Sequence, residues 1–231
     1  MMKFYAVKST DFNEIFLSWD ECKKHVSGVS GVVYKSFSTL AEAEAFLNDD
    51  SKSIIEANEA ELHDFSMPFA FTDGSINTKT GTYGYGGILF DGHQFYLLEG
   101  SRNDHMNKMN NVSGELIGSA AAIGKAVSLG LPKLRLFYDY TGIVLWPNGS
   151  WKIKDYNVTH DPKDQWLQQY IEFIHECQQK IQIEFRHTKG HTGIVGNELV
   201  DRLAKRAVGL GNEKIEKDIA TLSYELNHLK L

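Results

Sequence analysis

Four carboxylates stand out: Asp73 in "FTDGS" and Asp139 in "LFYDY" end apolar strand-like runs, Glu115 in "NNVSGEL" opens a helical stretch, and Asp201 lies within "GNELVDRLAK". Carboxylates that end apolar strands at one sheet edge converge in space, and there they repel one another unless a cation holds them. Oxygen ligands of this kind suit hard divalent ions. The stretch "RHTKGHTGIVGNELVDRLAK" also sets His187 and His191 four residues apart, the spacing of a zinc pair on a helix. Glycines at 190, 193 and 196 argue against a helix there, and no cysteine or third histidine lies nearby, so zinc is not expected and His187 reads as structural. Taken singly, each acid has a plainer reading. Asp73 and Asp139 suit turns, Glu115 suits the positive end of a helix, and Asp201, four residues before Lys205, suits a solvated ion pair. Only joint placement makes them a site.

That placement falls to a series of strands and helices. "FAFTD" reads as a short buried strand ending in a turn at Asp73, and "GYGGILF" with "QFYLLEG" as a hairpin turning at Asp91-Gly92. "SGELIGSAAAIGKAVSLG" has Leu116, Ala120, Ile123 and Val127 at helical spacing and Gly130 as its stop. "LRLFYD" is a buried strand that delivers Asp139, "DQWLQQYIEFIHECQQK" a helix and "IQIEFRH" a last strand, followed by helices in "NELVDRLAKRAVG" and "EKIEKDIATLSYEL". A hairpin leading into alternating helices and strands implies an α/β fold, a mixed sheet with helices on its faces.

The chain reads as two domains and a tether: 1–48, an acidic linker at 49–68, and 69–231. In the first, "KFYAV" and "GVVYKSF" are strands, and Ser18 with Glu21 and Thr39 with Glu42 are capping boxes that start two helices. Its core needs little beyond Phe4, Val7, Phe16, Val26, Phe37, Phe46 and Leu47. The tether is acidic, with room for one helical stretch.

Composition, 42% hydrophobic and 12% aromatic, is that of a soluble globular protein. Cys22 and Cys177 have no metal-type spacing, so neither a disulfide framework nor a zinc ribbon is expected, and a reducing cytoplasm is the default compartment. No run of about 18 apolar residues occurs, which argues against a membrane span. The net charge of -6 would disfavour a nucleic-acid partner, but it is unevenly spread. Residues 1–48 hold five lysines and six acids, 49–68 one lysine and six acids, and 69–231 eighteen of each sign. The acidity belongs to the linker, and both domains are near neutral.

The order "TDGS", "NNVSGEL", "YDY", "KGHTGIVGNELVDRLAK" resembles the four motifs of type 1 ribonuclease H across nearly all of 69–209. The resemblance implies a five-stranded mixed sheet in the order β-β-β-α-β-α-β-α and hydrolysis of the RNA strand of RNA-DNA hybrids. It assigns Asp73, Glu115, Asp139 and Asp201 as catalytic, metal-binding carboxylates for two Mg²⁺ ions, with Mn²⁺ as a substitute, and His191 as a mobile histidine beside them. Two such ions about 4 Å apart activate a water, neutralise phosphate charge and help the leaving oxygen; by the family's pattern the products carry 5′-phosphate and 3′-hydroxyl ends. Asn110 and Asn111 would test for 2′-hydroxyls. Thr188 or Ser75 is a weaker phosphate contact, against which turn hydrogen bonding stands as an equal reading. The family's long basic handle is missing, which predicts weak grip by this domain alone.

The first 48 residues resemble the hybrid-binding domain found ahead of many such nucleases, of the caulimovirus viroplasmin type, through an aromatic strand, a tryptophan opening a helix, and "YKSF" before the next helix. Transferred here, Trp19 stacks on a deoxyribose while Tyr34 and Lys35 face the backbone; the bland reading is that Trp19 fills a thin core. Ser36 and the loop "KSTDFNE" lack the basic character of many relatives. Double-stranded RNA is a second ligand this module could take. The competing function is a non-catalytic protein binding hybrid or double-stranded RNA on the same fold, against which the intact four-acid set counts. An actin-like phosphotransferase needs a second half for which 231 residues leave no room. Oligomeric state is not legible.

Overall fold

The computed structural model describes residues 3–8, 13–26, 33–48, 54–104, 109, 111–151, 153, 162–188 and 193–229. They fall into two units, Met1–Ser53 and Ile54–Leu231.

In the first unit, β1 (Phe4–Lys8) is the central strand of an antiparallel sheet ordered β2-β1-β3, flanked by β2 (Asn13–Phe16) and β3 (Val33–Phe37). Helix α1 (Trp19–Val26) starts at its capping residue: Ser18 Oγ accepts the Glu21 N–H at 3.2 Å. At the start of α2 (Leu40–Asn48) the box is reciprocal, with Thr39 Oγ1 accepting from Glu42 at 3.3 Å and the Glu42 carboxylate accepting from Thr39 at 3.1 Å. Each such cap stabilises a helix by about 1 kcal/mol. The core uses smaller residues than expected. Ala6, Val7, Phe16, Cys22 and Ala43 are buried, whereas Phe4, Phe37 and Phe46 stay partly exposed. Successive residues of a strand face opposite sides, so burial of both Ala6 and Val7 means that this sheet is covered on both faces.

In the second unit, β4 (Phe69–Asn77), β5 (Thr82–Phe90) and β6 (Phe95–Arg102) form an antiparallel meander, and β7 (Lys133–Tyr138) and β8 (Gln182–His187) add in parallel, giving the order β6-β5-β4-β7-β8. Alternation along the strands sorts the core into two layers. Ala70, Leu89, Leu134, Leu136 and Tyr138 pack with Leu116 and Ile123 of α4 (Val112–Ser128) and Ile174 of α6 (Pro162–Gln178). Phe69, Phe71, Ile88, Phe90 and Phe137 pack with Leu199, Val200 and Leu203 of α7 (Val195–Lys205) and Ile219 of α8 (Glu213–Leu229). Each fully buried aliphatic or aromatic side chain contributes roughly 1.5–3 kcal/mol. A one-turn α5 (Gly142–Leu145) follows β7, and Gly130 (φ 67°) ends α4 as expected.

Two expectations change. Strand β4 does not end at Asp73 but stays paired with β5 as far as Asn77↔Thr82, so Asp73 lies in mid-strand opposite Gly86. The acidic stretch is also no free tether over residues 54–68. A single turn, α3 (Glu59–Leu62), starts at an Asn58–Glu61 capping box; Phe65 packs edge-on against Phe69 and Phe90, and Met67 is buried. The carboxylates of Glu61 and Asp64 meet Arg186 (2.6 Å) and Arg135 (3.0 Å), cations more than 70 residues away in sequence.

Candidate active site

Three elements converge on Asp73. Strand β7 runs parallel to β4 with Phe71 beside Phe137, so the register, carried two residues further, sets Asp139 beside Asp73. Both carboxylates then share the face on which the Phe71 and Phe137 rings stack at 4.4 Å. Helix α4 reaches Asp73 because residue 74 is glycine: a Cβ there would lie 2.6 Å from the Asn111 carbonyl oxygen, inside the first turn of the helix. This close approach, and not a turn, is what the glycine in "TDGS" serves, and it brings Glu115 against the strand. On the other face α7 comes equally near at Gly86, Asp73's partner on β5, where a Cβ would lie 2.5 Å from the Ala204 nitrogen.

The result is a cluster in which one oxygen each of Asp73, Glu115 and Asp139 lie within 4.8 Å of one another. Glu115 is 2% exposed, and its Oε2 is buried without a hydrogen-bond partner. Burial first, and then the charges of Asp73 and Asp139, push the Glu115 carboxyl well above the usual range. The Asp73 carboxyl is pushed up to about 6, mainly by burial and then by Asp139 and Asp201, against the opposing hydrogen bonds from Glu115 and the Gly74 N–H at 2.7 Å. An unsatisfied buried oxygen amid mutually repelling carboxylates is a donor set that a hard divalent cation satisfies, since it supplies the missing positive charge and accepts several oxygen ligands. The residues therefore fit a metal ion.

Asp201 stands outside this trio but shares a cleft with Asp73 and Asp139, to which Asn197 and Glu198 of the same helix contribute. It is 8% exposed, and its Oδ2 accepts from Lys205 Nζ at 2.8 Å and from Arg202. The expected i,i+4 pair is thus present, but it is not a solvated one. Asn197 and Glu198 do not stand out in the sequence by residue type, but their spacing carries the signal, since both fall on Asp201's helical face at i−4 and i−3.

Asn111 sits exposed at the start of α4, its carbonyl accepting the Glu115 N–H at 3.0 Å. Asn110 and His191 lie outside the described residues. Thr188 is 3% exposed and hydrogen-bonded to the Tyr138 carbonyl and Asn197, the turn-bonding reading, and does not present a free hydroxyl. In the first unit Trp19 (39% exposed) and Tyr34 (48%) lie side by side at 5.5 Å, with Tyr5 behind Trp19 at 5.8 Å, so Trp19 is not a core residue. Lys35 points to the other side of its strand, 5.6 Å over the Phe37 ring.

Comparison with known families matches residues 67–209 to the RNase H model and residues 3–47 to the Ribonuclease H1 N-terminal domain. The chain belongs to the RNase H family. It is a ribonuclease H-type endoribonuclease, a hydrolase of phosphodiester bonds. Curated relatives include Ribonuclease H1 of Mus musculus, 27% identical over 87% of this chain and 88% of that protein, and Ribonuclease H of Edwardsiella ictaluri, 34% identical over 60% of this chain and 88% of that one. Among solved structures, RNase H1 from Halobacterium salinarum aligns with 63% of this ribonuclease H-type chain and 99% of its own, at 21% identity and a TM-score of 0.47. Among the described residues no helix is long and apolar enough to cross a membrane.

Proposed function

We propose that this ribonuclease H cuts the RNA strand of RNA-DNA hybrids with two divalent ions, Mg²⁺ in the cell and Mn²⁺ as a substitute, leaving 5′-phosphate and 3′-hydroxyl ends. The observation that supports it is the carboxylate trio Asp73, Glu115 and Asp139, delivered by three elements to within 4.8 Å with one buried oxygen unsatisfied. Asp73, at the centre, would serve both ions, with Glu115 and Asp139 on one side and Asp201 on the other. Divalent ions there supply an activated water and neutralise charge on the phosphate. The chain's own part is to hold four carboxylates on a rigid sheet and two helices, so that little reorganisation precedes the reaction. Arg202 and Lys205 hold the Asp201 carboxylate at the wall of the cleft. His191 is assigned to proton handling or product release, and Asn110 and Asn111 to reading 2′-hydroxyls.

Residues 1–48 are assigned as the hybrid-binding module, 49–68 as the connection and 69–231 as the catalytic domain. Trp19 and Tyr34 form an exposed aromatic platform of the kind on which sugars and bases stack, with double-stranded RNA as a second ligand; Lys35, on the opposite face of β3, is assigned as a backbone contact apart from that platform. The free, buried Cys22 and Cys177 suit a reducing compartment such as the cytoplasm. The test is Asp139→Asn, which keeps the shape and removes the charge. Cleavage of a hybrid should fall by at least about a hundredfold, of the order seen when one transition-state-stabilising group is removed, and activity surviving unchanged would rule out the metal assignment.

A further inference from the structure

The segment 54–64 does more than join two units. Residues 55–57 continue the sheet beyond β8: the His187 N–H donates to the Ile55 carbonyl at 2.7 Å, the Ala57 N–H donates to the His187 carbonyl at 2.8 Å, and Glu56 pairs in parallel with His187. The His187 side chain, only 9% exposed, continues inward from this edge. Its Nδ1 lies 2.9 and 3.0 Å from the two oxygens of Glu56, and its Nε2 lies 3.0 Å from the backbone carbonyl oxygen of Asp139. A carbonyl can only accept, so Nε2 donates. The chain Glu56 carboxylate, His187 imidazole, Asp139 carbonyl thus runs from the docked segment to the backbone of a carboxylate in the trio, just past the end of β7.

Anchors farther along hold the segment in place independently. Glu61 accepts from Arg186 at 2.6 Å, and Asp64 pairs at 3.0 Å with Arg135, whose Nε also meets Glu184 at 3.2 Å. Ala57, Leu62 and Phe65 pack into the aromatic layer beneath Phe69 and Phe90. Docking and ring orientation are therefore separable: the arginines, the apolar side chains and the backbone bonds of Ile55 and Ala57 fasten the segment, and the Glu56 carboxylate meets the His187 ring.

We infer that Glu56 and His187 are positioning residues for Asp139, through which the docked segment sets how well the carboxylate trio binds a divalent ion. This rests on the proposed function, in that Asp139 is taken as a metal ligand. Partners that hydrogen-bond a metal-binding residue orient it, and loss of such an outer partner weakens metal affinity by roughly 10- to 100-fold. Asp139 directly follows Tyr138, the last paired residue of β7, so a contact at its carbonyl bears on where its backbone sits.

The experiment is calorimetric titration of the full chain with Mn²⁺, without substrate, for wild type, Glu56→Ala, Glu56→Gln and Asp64→Ala, with thermal unfolding of each. Glu56→Ala should weaken ion affinity about tenfold, at the low end of that range because His187 grips a carbonyl and not a ligand atom. Glu56→Gln, which can meet Nδ1 with either its oxygen or its amide nitrogen, should stay near wild type. Asp64→Ala should lower thermal stability and leave ion affinity unchanged. In cleavage assays the half-saturating ion concentration of Glu56→Ala should rise by the same factor, while kcat at saturating ion and KM for hybrid hold. Should Glu56→Ala fail to fold, Glu56→Asp, one methylene short of the imidazole, reads the same quantity. Wild-type ion affinity in the Glu56 variant, or an equal loss in Asp64→Ala, would overturn the inference. A wild-type chain that binds no divalent ion would overturn the metal reading and this inference with it.

Discussion

Replacing Asp73 with Asn should make the metal-free protein more stable at neutral pH even as it abolishes function. Asp73 is held at about 6 in the fold against about 3.9 in an unfolded chain, and each tenfold change in proton affinity is worth about 1.4 kcal/mol, so its ionisation costs the fold about 3 kcal/mol. The sign follows from linkage: a group whose folded value is raised contributes stability that is fully present below pH 4 and lost as pH rises through about 6. At pH 7.5 the wild type carries the whole penalty and the amide carries none. For a unit of this size 1 kcal/mol moves Tm by ~2–4 °C, which gives a rise of about 6–12 °C for Asp73→Asn in chelator at pH 7.5. The advantage should shrink toward zero at pH 4, where both proteins are neutral at this position. Mg²⁺ at about 1,000 times its Kd should reverse the order, since it stabilises the wild type by about 4.1 kcal/mol, more than the penalty of about 3 kcal/mol. Thermal unfolding followed by circular dichroism at the two pH values, with chelator or Mg²⁺, measures all three. If Asp73→Asn is no more stable than wild type at pH 7.5 in chelator, the carboxylates are not in repulsion and the case for a cation loses its physical basis.

Gly86→Ala should destabilise the second unit by about 1–3 kcal/mol, the usual cost of overpacking, and lower cleavage further by displacing α7 and Asp201; urea unfolding and a turnover assay report the two effects. Trp19→Ala should leave stability within about 0.5 kcal/mol, as befits an exposed site. It should nonetheless weaken hybrid binding by about 1–3 kcal/mol for the lost stacking, with no change in the slope of log K against log salt, because no charge is removed. Deleting residues 1–48 should raise the substrate concentration needed far more than it slows saturated turnover, as expected when a tethered binding module is lost; an unchanged hybrid affinity would count against that module's assigned role.

The element order and the two-layer sheet were legible because their signals are local: apolar runs of strand length, helical spacing in α4, and the Ser18 and Thr39 caps. Two features were not, for related reasons. The Gly74 in "TDGS" reads as a turn residue when only its neighbours are considered, whereas it is glycine because α4, arriving 40 residues later, touches the strand there. The acidic segment reads as a tether because the arginines that neutralise Glu61 and Asp64 sit on β7 and β8. Charge composition shows that acids are present but not where their partners lie. Asp201 falls between the two cases. Its Lys205 pair is visible at i,i+4, but its burial depends on α7 approaching β5 through Gly86. His187 reads as a structural residue at a strand end; its ring meets the Asp139 carbonyl on one side and Glu56 on the other, and no local pattern ties either to it.

The most direct test of the central claim is a gel assay of three matched duplexes, RNA-DNA hybrid, RNA-RNA and DNA-DNA, each with Mg²⁺ and with chelator. Mg²⁺ should support internal cuts in the RNA strand of the hybrid, the DNA duplex should stay intact, and chelator should abolish cutting. Equal cutting of hybrid in chelator, or Mg²⁺-dependent cutting of the DNA duplex, would contradict it.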